Sequence, residues 1–206
     1  MLTFDHLAIG AETLEDGVAA VEAALGVALA PGGAHPMMGT HNRLLALGPG
    51  EYLEVIAIDP DAPHPGRPRW FALDDFRGKP RPGAWIARAA PPLAEALARA
   101  PAGAGDAQSL SRGAYAWEMA IPDTGLLPFA GLFPALIAWQ GTAHPADALP
   151  DQGIRLHRLV LIHPEAGALR AALAPLITDA RLTVTLGAEP QMAAEFKTPA
   201  GLRVLA

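Results

Sequence analysis

A strand followed by a helix, and then by further strands, recurs three times along this chain of 206 residues. This restart constrains the architecture most, because each unit carries apolar faces that only its neighbours can cover. In the first unit, Thr3 to Ala8 alternates with period two, which sets Phe4, His6 and Ala8 on one face and Asp5, Leu7 and Ile9 on the other. Thr13 then caps a helix, with Asp16 three residues on. Its apolar stripe is Leu14, Val18, Val21 and Leu25, and Gly26 stops it. A Gly/Pro/His-rich segment, Pro31 to Gly39, leads to strands over His41–Leu47 and Glu51–Ile58, in a β-α-β-β-β order over residues 1–60.

Residues 61–82 form a long Pro- and Arg-bearing connection, of the kind that crosses between modules or covers a site. A middle strand-helix-strand unit follows over 83–150. It has strands at Gly83–Ala89, Arg112–Ile121 and Phe133–Trp139, and a short helix opened by Pro91-Pro92. The last unit, 151–206, starts with the strand Ile154–Ile162 and a helix after Pro164. It ends in strands at Leu182–Leu186, Met192–Lys197 and Leu202–Leu205, again β-α-β-β-β. With 51% hydrophobic residues the chain can bury a full core, so the units are expected to join in one domain.

The net charge of -6 and the lack of a basic cluster larger than Arg77, Lys79 and Arg81 argue against nucleic-acid binding. The longest apolar stretch, Gly125 to Trp139, is too short and too broken by proline and glycine to span a bilayer. The opening MLTFDHLAIG has no signal-peptide pattern, so a cytoplasmic protein without a membrane partner is expected. There are no cysteines, which excludes disulfides, thiolate metal sites and thiol nucleophiles. No phosphate-cradling glycine motif appears, so no nucleotide cofactor is expected.

Glu54 is the residue that calls for an explanation. It lies in the apolar strand YLEVIAI, sharing a face with Tyr52 and Ile56, and a buried carboxylate costs several kcal/mol unless paired or coordinated. Arg43 is one partner within reach; a metal or a cavity is the alternative. His6 sits mid-strand, and a neutral imidazole is the commonest metal ligand. His157, in LHRLVLI, repeats its setting before a helix, and Trp85 in GAWIAR stands at the comparable place in the middle unit. In the last strand Arg203 stands where a second glutamate would repeat Leu53-Glu54-Val55. His41 and Asn42 begin a strand, while Trp139 and His144 mark a strand end and the following turn. His-Pro recurs at 35–36, 64–65, 144–145 and 163–164, as turn chemistry favours.

The runs FDHLAIGAETLEDGVAAVEAALGV, GTHNRLLALGPGEYLEVIAIDP, PALIAWQGTAHP and LHRLVLIHP resemble the glyoxalase-like branch of the vicinal oxygen chelate superfamily, most tightly over residues 4–60. The resemblance implies an α+β fold. Its βαβββ modules pair so that curved mixed sheets form a cup-shaped cavity, with helices on the outer face. It also implies a divalent metal (Zn, Mn, Fe, Co or Ni) held by His6, Glu54 and His157, chelating two neighbouring oxygens of a small substrate and stabilising an oxyanion. Glu54 doubles as the catalytic carboxylate in that reading. The substrate-contacting set is then His41, Asn42, Arg43, Trp85, Trp139, His144 and Arg203. The activity implied is that of a lyase, isomerase or dioxygenase. Because Arg203 replaces the last carboxylate, the alternative is a metal-free cationic cavity that binds or sequesters a small molecule. Pairing of modules across chains would make a homodimer.

Overall fold

In the computed structural model, which describes residues 1–206, twelve strands and three helices form two sheets. The first unit supplies β1 (Thr3–Gly10), α1 (Leu14–Leu25), β2 (Ala30–His35), β3 (Thr40–Gly48) and β4 (Glu51–Ile58). The middle unit supplies β5 (Arg81–Arg88), α2 (Ala94–Leu97), β6 (Asp106–Arg112), β7 (Tyr115–Ile121) and β8 (Ala135–Gln140). The last gives β9 (Arg155–His163), α3 (Ala166–Leu173), β10 (Leu182–Leu186), β11 (Gln191–Thr198) and β12 (Gly201–Leu205).

The first and middle units together build one eight-stranded sheet in the order β2-β3-β4-β1-β5-β8-β7-β6. Its two halves mirror each other about the β1–β5 seam, and its outer strands, β2 and β6, curl until they meet. There Arg112, at the end of β6, lies against Gly33 and bonds His35 on β2. The cup is thus closed by the middle unit. The last unit has the expected element order but a different sheet, β10-β9-β11-β12, in which its first strand is interior. That sheet backs the convex face of the larger one, and the two share a core of 34 buried apolar residues, including Leu7, Leu53 and Trp85 from one side and Leu161 and Phe196 from the other. Arg181 ties the two together by pairing with both Asp179 and Glu51 at 2.7 Å.

Local rules explain these elements. Thr13 accepts the Asp16 N–H and its hydroxyl donates to the Asp16 carboxylate, so aspartate completes the capping arrangement. Gly26 ends α1 in the left-handed conformation at φ 74°. The buried stripe of α1 is Leu14, Gly17, Val21 and Leu25, with Val18 only half-buried. Gly17 takes the contact expected of Val18 because a β-carbon there would lie 2.5 Å from Val55 Cγ1, so the helix seats directly on β4. The Gly/Pro/His-rich segment contains most of β2, the further strand that the β-α-β-β-β order of the first unit requires. The strand expected over Arg112–Ile121 is instead the second arm of a hairpin, with β6 before it and a turn at Gly113-Ala114. No helix is long and apolar enough to cross a membrane.

Candidate active site

The concave face of the large sheet is mostly filled by a second apolar cluster of 15 residues, among them Ile56, Ile86, Trp117 and Ile137. Within it lies a small polar cavity lined by His6, His35, Asn42, Tyr52, Glu54 and Arg112 and covered by aromatic rings.

The floor is set by a β-bulge. Pairing of β1 with β5 shifts between Phe4 and His6, so Asp5 occupies an extra position in the ladder. Strict alternation would send Asp5 to the opposite face from His6. The bulge instead lets Phe4 enter the convex core with Leu7, while the Asp5 carboxylate meets His6 Nδ1 at 2.6 Å. Asp5 is completely buried, and its other oxygen accepts from Trp139 Nε1 at 3.0 Å and His144 Nε2 at 3.2 Å. Since Nδ1 of His144 accepts the Ala146 N–H, its proton resides on Nε2, in position to donate to Asp5. Arg88 adds a positive charge 3.5 Å from the same oxygen.

On its far side, His6 Nε2 faces Glu54 Oε1 at 3.5 Å, and the imidazole stacks on the Tyr52 ring at 4.2 Å. Burial drives the imidazole pKa down, but the carboxylates of Asp5 and Glu54 outweigh it and hold His6 at about 9. Burial likewise raises both carboxylic acids, yet hydrogen bonds and charge from the histidines leave Asp5 and Glu54 below their ordinary range. Burial and the two carboxylates keep the Tyr52 phenol protonated by raising its pKa. At neutral pH the floor is therefore an imidazolium between two carboxylates.

Asn42 orients Glu54. The Gly33 N–H donates to Asn42 Oδ1 at 2.9 Å, which fixes the amide so that Nδ2 donates to Glu54 Oε2 at 2.7 Å. The approach depends on glycine: at Gly32 a β-carbon would collide with Asn42 Oδ1, and at Gly33 it would press on Arg112 Cδ at 3.1 Å. Arg112 crosses the mouth of the cup to His35 Nε2 at 2.9 Å and, more weakly, to Asn42 Oδ1 at 3.5 Å. Because Arg112 donates to Nε2, the proton of His35 lies on Nδ1, facing Thr40 at 3.2 Å. Burial pulls His35 down to about 4, with Arg112 acting in the same direction, so it is neutral. No carboxylate pairs with Arg112.

The cover comes from Trp70 and Phe71, in a 3₁₀ segment of the long connection, and from Trp117 and Trp139. That connection therefore covers the site. The cavity beneath is only about 30 Å³, room for about one water. Trp70 is 4% exposed, and its Nε1–H is buried with no hydrogen-bond partner.

Of the residues expected at the site, the structure brings together His6, Glu54, Asn42 and Trp139, with His144 behind Asp5. His41 and Arg43 fall on the other face of β3, and Asn42 takes the role considered for Arg43. Trp85 is displaced because antiparallel pairing sets it beside Leu7, and its indole donates to Leu132 O in the convex core. His157 and Arg203 lie on the second sheet, with Arg203 exposed on the edge strand β12, because the last unit does not line the cup. The cation at the cavity is Arg112, not Arg203. Tyr52 lines the cavity on the face it shares with Glu54, whereas Asp5, His35 and Arg112 were not anticipated there. In three of the four His-Pro pairs the imidazole Nδ1 accepts the N–H two residues on, from Gly66, Ala146 and Glu165, which confirms turn chemistry for those pairs.

These side chains do not fit the implied divalent ion. Nowhere do three or more His, Cys, Asp or Glu side chains come together to hold a metal. In the cavity the donor set stops at His6 and Glu54. The next imidazole, His35, has its only lone-pair nitrogen occupied by Arg112.

Comparison with known proteins places this geometry in a family. A protein from Staphylococcus aureus described as hypothetical has a similar structure, with a TM-score of 0.64 over 93% of this chain and 88% of its own, at 11% identity. Streptomyces coelicolor methylmalonyl-CoA epimerase, in complex with 2-nitronate-propionyl-CoA, matches at a TM-score of 0.46 and 14% identity over 70% of this chain and 100% of its own. No curated protein sequence matches. The model of the glyoxalase-like domain family matches residues 4–177, which span the whole eight-stranded sheet and continue into the second. The chain therefore belongs to the glyoxalase-like domain family, within the vicinal oxygen chelate superfamily.

Proposed function

We propose that this cavity is the active site of an enzyme that moves a proton next to a carbonyl on a small oxygenated carboxylate, using its own side chains as acid and base. The observation that carries this reading is the buried pair of Glu54 Oε1 and His6 Nε2, 3.5 Å apart, facing a cavity beside a cation without an anionic partner. A carboxylate ligand would find its partner in Arg112, and a ligand oxygen would satisfy the orphaned Trp70 indole, whose isolation costs about 1–3 kcal/mol.

The chemistry follows from where the protons sit. A substrate carbonyl oxygen entering between His6 and Glu54 takes the imidazolium N–H as its hydrogen-bond donor. Glu54 then loses the partner that holds its pKa down and becomes a stronger base. It accepts the proton from the carbon beside the carbonyl, the C–H electron pair moves to form an enolate, and the imidazolium stabilises the oxyanion. Returning the proton to the same or another carbon gives an isomerase or epimerase; expelling a leaving group from the adjacent carbon gives a lyase. Admission of such a substrate requires the Trp70–Phe71 cover to move aside, because the closed cavity holds about one water.

A second reading, binding without turnover, is favoured by the three indoles at the cavity. One experiment separates them. The protein is incubated in deuterated buffer with a panel of small 2-oxo, 2-hydroxy and 3-oxo carboxylates, and deuterium uptake at carbon is followed by NMR. Exchange on at least one compound, lost in Glu54→Gln, is the expected result. Ligand-induced thermal stabilisation with no exchange on any compound would replace the enzyme reading with the binding one.

A further inference from the structure

Outside the mouth of the cup lies a second, larger hollow of about 910 Å³, bounded by β2, the β6–β7 turn and the 3₁₀ segment Pro145–Ala148. Its walls include Leu29, Leu44, Tyr115 and Leu149, and no acidic side chain lines it. Arg112 lines both this hollow and the inner cavity, and no other residue does. We infer that the outer hollow is the subsite for an apolar tail of the ligand, and that Arg112 holds a carboxylate at the threshold between tail and reacting head.

The placement follows from size and charge. The closed inner cavity holds about one water and takes only a small reacting head once the Trp70–Phe71 cover moves, whereas the outer hollow has the volume of a pocket for a medium-sized organic ligand. Between them stands a guanidinium whose only partners are neutral, His35 and the Asn42 amide. A carboxylate offers it the bidentate partner it lacks. Gly32 and Gly33 thin the wall here, so the ligand passes a backbone edge rather than a side chain. The substrate class is then a carboxylate with a hydrophobic chain or ring beyond the charge. This inference rests on the anion-binding role of Arg112 in the function proposed above.

Straight-chain monocarboxylates of increasing length test it by calorimetry, in the wild-type protein and in Glu54→Gln. Affinity should rise about fourfold per added methylene until the hollow is full, and equally in both proteins, because the tail does not touch the proposed base. Alcohols and primary amides of the same length should bind at least tenfold more weakly, a preference lost in Arg112→Met. Replacing the exposed Ala114 and Ala148 by Gln, which fills the hollow without entering the core, should flatten the length dependence while short acids bind as before. Affinity independent of chain length, a length dependence untouched in the Gln variants, or no binding of any acid would overturn the inference. A rising length series in a protein that exchanges no proton would uphold the subsite and overturn the proposed reaction instead.

Discussion

Replacing Asp5 with Asn changes no volume, yet it should remove the charge from His6. The Trp139 and His144 donors, at 3.0 and 3.2 Å, require an acceptor, so they fix the amide oxygen of the new side chain on their side. The amide nitrogen then faces His6 Nδ1, now 2.6 Å from an oxygen, and can only donate to it. His6 must release its Nδ1 proton to accept. The loss is one buried hydrogen bond between charged groups, about 1.5–3 kcal/mol. The deficit must also depend on pH. In the wild-type protein the folded His6 pKa, about 9, lies above the ordinary 6.5. The stabilisation from this proton is therefore complete below 6.5 and lost as pH rises through 9. Asp5→Asn should thus be least stable relative to wild type near about pH 6, and the gap should narrow above pH 9. Urea unfolding across that range reads the gap, and NMR of labelled histidine reads the His6 titration directly. A variant whose His6 still titrates near 9, or whose deficit is the same at every pH, would refute the imidazolium assignment.

Other perturbations follow from the same geometry. His35 works in the opposite sense: its folded pKa of about 4 lies below 6.5, so its contribution is complete above 6.5 and lost as pH falls through 4. Stability of a His35→Gln variant should accordingly lose part of its acid sensitivity in urea titrations between those values. Gly32→Ala forces a β-carbon onto Asn42 and should cost about 1–3 kcal/mol in chemical denaturation, and it should weaken ligand binding through the displaced amide. Trp70→Phe deletes a buried donor without a partner, so the free protein should unfold no more easily than wild type while its affinity for the best carboxylate drops by about tenfold or more. Arg181→Met breaks a half-exposed tie between the two sheets and should cost about 1 kcal/mol, less at high salt, without changing ligand affinity.

The parts of the site that were legible in the sequence are those that obey local rules. A glutamate inside YLEVIAI cannot be buried without a reason, and strand pairing puts His6 beside Tyr52 and Ala8 beside Glu54, as alternation anticipates. Asn42 is legible as a strand-start polar residue, although the sequence offers Arg43, a metal or a cavity, and not Asn42, as the partner of Glu54. Asp5 was lost because a single bulge reverses the faces expected of Phe4 and Asp5, and no propensity marks that bulge. Arg112 was lost because it reaches the site from the opposite edge of the sheet, 70 residues from Asn42, a contact that exists only once the sheet has curled. His157 and Arg203 were misplaced for a topological reason. The same β-α-β-β-β order yields the β2-β3-β4-β1 arrangement in the first unit but β10-β9-β11-β12 in the last, and periodicity does not distinguish them.

The most direct test of proton transfer by the chain's own residues is solvent-deuterium exchange measured in two preparations, one exhaustively dialysed against EDTA and one supplied in turn with Zn, Mn, Fe, Co and Ni. The account predicts the same exchange rate in both, with each abolished by Glu54→Gln. A rate that vanishes on chelation and returns with one metal bound stoichiometrically would contradict it, and would mean that His6 gives up its proton to serve as a ligand.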